Sequence, residues 1–290
     1  MAATRMTGLF IGVVLTWWLY DLQFHWRELQ EYHYGWVVPA LAGYIVLVRW
    51  EGRPTRDAIA PFWVSMCLAG VGIPFVVVAE LYKRAITHTP ASSFCLSIGC
   101  FLFLLALILW GRGHRTLLHF LFPLCFLFLA VPLPGILWNP IVMVLREIIT
   151  RLDVECLNLI GIPAFQQVNV IQLPGSAVGV NDACSGVRSL QSSVMVSLFI
   201  GYLSFSKIRF RALFLVIGIS IALFGNFTRS LVLSIAVHRH GLTVLDRFHD
   251  AAGWAILIST LIGLMVSVSL LKRFESMGTR IPDRRTLEEA

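Results

Sequence analysis

The chain has 290 residues, 57% of them hydrophobic and 13% charged, with a mean hydropathy of +0.78. A soluble domain carries closer to ~25% charged residues, and apolar stretches recur along the whole length here, which excludes a water-soluble globular protein. The formal charge of +7 comes from basic residues dispersed between the apolar runs, not from a patch of the kind that binds nucleic acid.

Crossing the hydrocarbon takes roughly 20 apolar residues per helix. The first such stretch, 8–24, follows Arg5 and lacks a small-x-small cleavage site, so it is expected to remain as a signal-anchor. Further spans are expected near 35–50, 59–82, 90–110, 116–133, 186–204, 212–237 and 250–271. The expectation is an all-α polytopic membrane protein with about eight transmembrane helices, organised as a single integral membrane domain over 1–290.

Basic residues mark the cytoplasmic side of a membrane protein. With the N-terminus inside, the inner segments hold Arg5, then Arg49, Arg53 and Arg56, then Arg112 and Arg115. They also hold Lys207, Arg209 and Arg211, and finally Lys272, Arg273, Arg280, Arg284 and Arg285. Both termini are therefore expected in the cytoplasm, with 272–290 as a basic tail. Six cysteines, at 67, 95, 100, 125, 156 and 184, show neither C-x-x-C nor zinc spacing. No metal and no organic cofactor is expected.

The segment 134–185 then falls outside. Asn139-Pro140 reads as a helix N-cap followed by a favoured first residue. The polar positions Arg146, Glu147, Thr150, Arg151, Glu155 and Asn158 form one stripe, with Glu147–Arg151 as an i, i+4 pair. Such a helix lies along the interface. "FQQVNVIQLPGSAVGVND" alternates around Pro174-Gly175, which suits the centre of a type II turn. A short β-hairpin, 166–173 with 177–181, is expected to deliver Asn181, Asp182 and Cys184 to the outer surface. Its edge also offers a place where an extended peptide can dock.

Three polar clusters interrupt apolar runs. Cys184 sits at a helix start between Asp182 and Ser185-Gly186, where backbone amides stabilise a thiolate. Arg188 follows one turn later. Arg229 stands about nine residues, roughly 13 Å, before the outer end of its helix. A charge there costs roughly 2.5–3.5 kcal/mol on insertion scales, so it is expected to face a polar notch with Asn226, three residues earlier. Snorkelling to the headgroups is the bland alternative. His249, beside Asp246 and Asp250, is preferred over His238 and His240 as a general acid or base. Asp182 and Arg188 can also simply pair with each other or with Glu147 and Arg146.

"DACSGVRSL" (182–190), "NFTR" (226–229) and "FHDAAG" (248–253) resemble, in that order, the exosortase/archaeosortase family of membrane-embedded sorting enzymes. "FPLCFLFLAVPLP" (122–134), "GIPAFQQVNVIQLP" (161–174) and "YGWVVP" (34–39) extend the resemblance over nearly the whole chain. It implies a Cys–Arg–His thiol transpeptidase with Cys184, Arg229 and His249 as the catalytic residues. Asn226, Asn181, Asp182, Arg188 and Asp250 are supporting candidates. The implied partners are exported proteins with a C-terminal sorting signal of the PEP-CTERM type, cleaved at the outer, periplasmic face of the inner membrane through a thioester. The acceptor nucleophile is not legible. The chain departs from the family pattern in having Asp182 where Glu is common, and His33-Tyr34-Gly35 in place of a His-Gly pair, so no role is carried to His33. The competing expectation is a transporter or flippase for a lipid-linked glycan, whose broken helices would meet at mid-membrane.

Overall fold

In the computed structural model, residues 2–54, 62–179, 186–241 and 244–277 are described; for residues 2–5, 244–252 and 277 this holds for the backbone alone. The helices are α1 (Ala2–Glu28), α2 (Val38–Arg49), α3 (Phe62–Ala85), α4 (Pro90–Arg112), α5 (His114–Phe126) and α6 (Gly135–Leu159). A three-stranded sheet, β1 (Phe165–Gln167), β2 (Val170–Leu173) and β3 (Ser176–Gly179), precedes α7 (Val187–Ser204), α8 (Ile208–His240) and α9 (Val244–Met277). Among the described residues the protein is thus mostly helical with one small sheet. Two compact units divide it, 1–139 and 140–290.

Among the described residues, four helices are long and apolar enough to cross a bilayer: α3, α4, α8 and Gly253–Ser276 of α9. Taking the bent pair His114–Ala130 and Gly135–Leu159 as one span gives up to five. The other three expected spans fall short of that measure for visible reasons. The 12 residues of α2 rise about 18 Å, α7 carries Arg188, Gln191 and four serines before Leu198, and α1 carries Asp21, His25 and Arg27.

In the first unit α3 and α4 cross closely because two glycines meet. A Cβ on Gly99 would lie 2.6 Å from Val76 Cγ2 and 3.0 Å from the Gly72 carbonyl oxygen. Thr89 caps α4 in a reciprocal capping box with Ser92, ahead of Pro90. Trp18 Nε1 donates to Ser97 Oγ at 2.8 Å, and Trp26 Nε1 to the Ala130 carbonyl at 2.8 Å. The segment around His33-Tyr34-Gly35 is built into this frame: Tyr34 donates to the Leu129 carbonyl at 2.6 Å, and a Cβ on Gly35 would strike the Trp26 ring.

A polar network that sequence reasoning missed joins α1, α3 and α4. Asp21, 7% exposed, pairs with Lys83 and accepts from His88 at 3.0 Å, while Ser93 Oγ lies 3.0 Å from both His88 Nε2 and His25 Nε2. Removing one partner of such a pair strands the other charge, at about 3–5 kcal/mol. Asp21→Leu is therefore expected to lower the thermal midpoint of the detergent-solubilised protein sharply, whereas Glu80→Gln, at the exposed side of the same lysine, is expected to leave it nearly unchanged.

In the second unit the sheet packs on the C-terminal half of α8. Ile171, Leu173 and Val178 form a core with Leu157, Ile162 and Val237. The strand order is β1-β2-β3, antiparallel throughout. The expected turn at Pro174-Gly175 is present, with Gly175 at φ +77°. The expected single strand 166–173 is instead two strands, because Val168 takes φ +56° and the chain turns back there. Residues 180–181 of the expected second strand lie outside the described residues.

Two details of α6 also differ from expectation. The helix begins at Gly135, with the Pro134 carbonyl accepting from Leu137 and Trp138, so Asn139-Pro140 lies within the helix and does not start it. Arg151 bonds Glu155 at 3.0 Å in place of Glu147, an exposed i, i+4 pair of little energetic weight.

In the helical remainder, Glu275 Oε1 accepts from the amides of Ser206 and Lys207 at the start of α8. Phe205, Phe214, Leu264 and Leu271 form the core that α7, α8 and α9 share. Gly225 lets Ile256 of α9 approach α8, with a Cβ there 3.1 Å from Ile256 Cγ2.

Candidate active site

Between α7, α8 and α9 lies a cavity of about 290 Å³. Asn226 and Arg229 line it from α8, Gly186 and Arg188 from the start of α7, and Gly253 from α9. Ser189, Ser192, Ser193 and Val196 of α7 and Thr260, Leu261 and Leu264 of α9 also line it. Asn226 and Arg229 thus share one cavity, whose lining is mostly apolar where a polar notch was expected. Arg229 faces the cavity, as the cost of a charge in hydrocarbon demands, with buried Asn226 on the same face of α8 one turn earlier.

Gly186 fixes where α7 begins. It adopts φ +73° as the N-cap residue, and a Cβ on it would lie 2.2 Å from Asn226 Cγ. Only glycine satisfies both the left-handed backbone and the contact. Backbone strain of this kind costs about 1–3 kcal/mol even before the clash. Gly186→Ala is thus expected to reduce folded yield and to abolish turnover in the fraction that folds, measurable by size-exclusion recovery and by an activity assay.

Two guanidinium groups, Arg188 and Arg229, line the cavity together with Gly186 at the amide end of α7. Such a lining suits a thiolate or a developing oxyanion, and the low-dielectric walls strengthen the attraction.

The structure brings together Arg188, Asn226 and Arg229 among the expected residues. Asn181, Asp182 and Cys184 lie outside the described residues. His249 and Asp250 lie in the second turn of α9, which begins at Val244 and not near 250 as expected, and their side chains lie outside the described residues. The cavity-lining Ser192, Ser193 and Thr260 were not anticipated. Their signal was present as hydroxyls recurring inside apolar helices, but serines of this kind also bond their own backbone, as Ser189 does to the Gly186 carbonyl at 2.8 Å.

The model of the transmembrane exosortase family matches residues 26–266. The chain belongs to that family. The match spans both units and includes α7, α8 and the part of α9 that lines the cavity. No curated protein and no solved structure matches the chain. As an exosortase it is an integral membrane protein, and the family assigns it to the processing of sorting signals on exported proteins.

Proposed function

We propose that this exosortase is a cysteine transpeptidase that cuts the C-terminal sorting signal of exported proteins, of the PEP-CTERM type, through a thioester. The observation that carries the reading is a convergence. Gly186, two residues after Cys184, and Gly253, four residues after His249, line the same cavity as Asn226 and Arg229. His249 precedes Gly253 by one turn of α9, so the two belong to one helix face.

In this mechanism the Cys184 thiolate attacks the backbone carbonyl carbon, forming the C–S bond. Arg229 stabilises the oxyanion, with Asn226 orienting its guanidinium. Collapse of the tetrahedral species breaks the C–N bond, and the amine leaves with a proton from His249. A second nucleophile, or water, then attacks the thioester and gives its proton to the imidazole, and the C–S bond breaks to restore the thiolate. Arg188 and the α7 amides keep the sulfur ionised between turnovers. Asn181, Asp182 and Asp250 are assigned to orienting the thiol and the imidazole.

The topology inferred from the distribution of basic residues is eight spans in the inner membrane with both termini cytoplasmic, the whole chain acting as one domain; it requires α1, α2 and α7 to cross as well, beyond the four or five helices that are long and apolar enough. The lysines and arginines of the inner segments support it, and it turns the cavity mouth to the periplasm. The substrate's own membrane helix would lie against the bundle and present its recognition motif there.

The test uses a chain in which the cysteines other than Cys184 are replaced by serine or alanine. A membrane-impermeant maleimide added from outside is expected to label Cys184 and stop processing. Bound substrate is expected to slow the labelling. Labelling only after permeabilisation would refute the orientation, and full processing after stoichiometric labelling would refute the role of the thiol.

A further inference from the structure

Asp153 of α6 is wholly buried, at 0% exposure, and no step of the mechanism uses it. Val154 and Leu157 of α6 pack in one core with Leu231, Ile235 and Val237 of α8, which sets Asp153 beside the α8 turn of Ser230, the residue after Arg229. Ser230 is 5% exposed and Ser234, one turn further along α8, is 0% exposed. Neither Asp153 oxygen has a hydrogen bond of ordinary geometry, and neither does Ser234 Oγ. The same α8 turn thus presents two polar faces: Asn226 and Arg229 toward the cavity, and Ser230 toward a buried carboxyl.

We propose that Asp153 is a positioning residue for the reaction at this cavity, acting through Ser230 to hold the turn of α8 that carries Arg229. The inference rests on reading the cavity as the catalytic site. A buried carboxylate without a counter-charge is far costlier than a buried carboxylic acid. Besides Asp153 itself, the charged or titratable groups on the packed elements are Arg146, Glu147, Arg151, Glu155 and Cys156 on α6, and Arg209, Arg211, Arg229, His238, Arg239 and His240 on α8. The sheet contributes the apolar Ile171, Leu173 and Val178. Among the described residues none of these charges acts on Asp153: burial pushes its carboxyl up to about 7, with Ser230 the lone opposing influence.

Asp153 is therefore the neutral acid over most of the acidic range, with one O–H to donate and one carbonyl oxygen to accept. The Ser230 and Ser234 hydroxyls are matching partners on α8. An apolar side chain in its place leaves these serines facing hydrocarbon and lets the α8 turn rotate. Misplacement of a catalytic group by about 1 Å costs on the order of 100-fold in rate.

Asp153→Asn and Asp153→Leu are to be compared with the wild type in proteoliposomes containing a sorting-signal substrate. Asp153→Asn, isosteric and neutral, is expected to keep kcat near the wild-type value. Asp153→Leu is expected to lower kcat by about 100-fold with KM little changed. A Leu variant with wild-type kcat, or one whose loss is confined to KM, would overturn the proposal, as would an Asn variant as impaired as Leu. Thermal midpoints in detergent give a second arm that holds even where the Leu variant does not fold. The unfolded carboxyl loses its proton near 3.8 and the folded one near 7, so wild-type stability is expected to fall as pH rises across that window. Asp153→Asn is expected to lack this fall, and a wild-type stability that rises there would also overturn the proposal. Cys184→Ala in the same assay reports on the catalytic reading itself: if it processes substrate normally, that reading fails whatever the Asp153 variants do.

Discussion

Cys184→Ala is expected to abolish processing of the sorting signal while leaving the amount of enzyme in the membrane unchanged. The expectation follows from what the thiol supplies. Without it there is no atom to form the acyl bond, and what remains is orientation and the guanidinium groups that line the cavity. In enzymes of this kind loss of the nucleophile costs on the order of 10⁶-fold, so residual product should be undetectable in an ordinary time course. Alanine removes only the sulfur, at a position flanked by polar residues, so no packing penalty comparable to a core truncation is expected. Immunoblots of uncleaved and cleaved substrate, with the enzyme quantified in the same membranes, check both halves. Cleavage at a normal rate would remove Cys184 from the mechanism.

Arg229→Lys is the second large effect. Lysine keeps the charge, so a purely electrostatic or structural role would tolerate it. A planar guanidinium, however, offers several N–H groups in a fixed fork, while an ammonium is a compact point charge on a flexible stem. Arg229 lines the cavity beside Asn226, which can orient a fork but has no similar hold on an ammonium. Removing one oxyanion donor costs about 10²–10³ in kcat, and a loss of at least the lower end of that range is expected for lysine. Single-turnover measurement of acyl-enzyme formation isolates the step. A wild-type rate of acylation would reduce Arg229 to a structural ion.

Much of this architecture was legible in the sequence because the solvent it faces is so restrictive. Hydrocarbon forces backbone groups into helices, so apolar runs located α3, α4, α8 and the membrane part of α9 closely. Of the candidate site, Arg229 and Asn226 were legible for the same reason: they stand out because lipid makes polar side chains costly. The shorter elements were harder. Nothing in "FQQVNVIQL" announces that Val168 adopts positive φ and splits one strand into two, since β-branched residues rarely do so. Asn139-Pro140 carries a helix-start signature, yet the Pro134 carbonyl starts α6 earlier. Asp153 escaped notice because it sits among charged neighbours on an amphipathic helix, and sequence does not reveal which polar residue a sheet and a neighbouring helix will bury. The Asp21–Lys83–His88 network was hidden by separation: its members are distant in the chain and each alone resembles an ordinary helix end.

The most direct test concerns proximity. In a chain whose other native cysteines are replaced, His249→Cys leaves two thiols, one at 184 and one at 249. A short bifunctional thiol crosslinker applied to native membranes is expected to join them in high yield. A Ser192→Cys, Leu257→Cys pair, both lining the cavity, serves as the positive control. Capturing 184 with 249 is the predicted result; efficient single labelling of each thiol with no crosslink between them, while the control pair does link, would contradict a shared cavity for the sulfur and the imidazole.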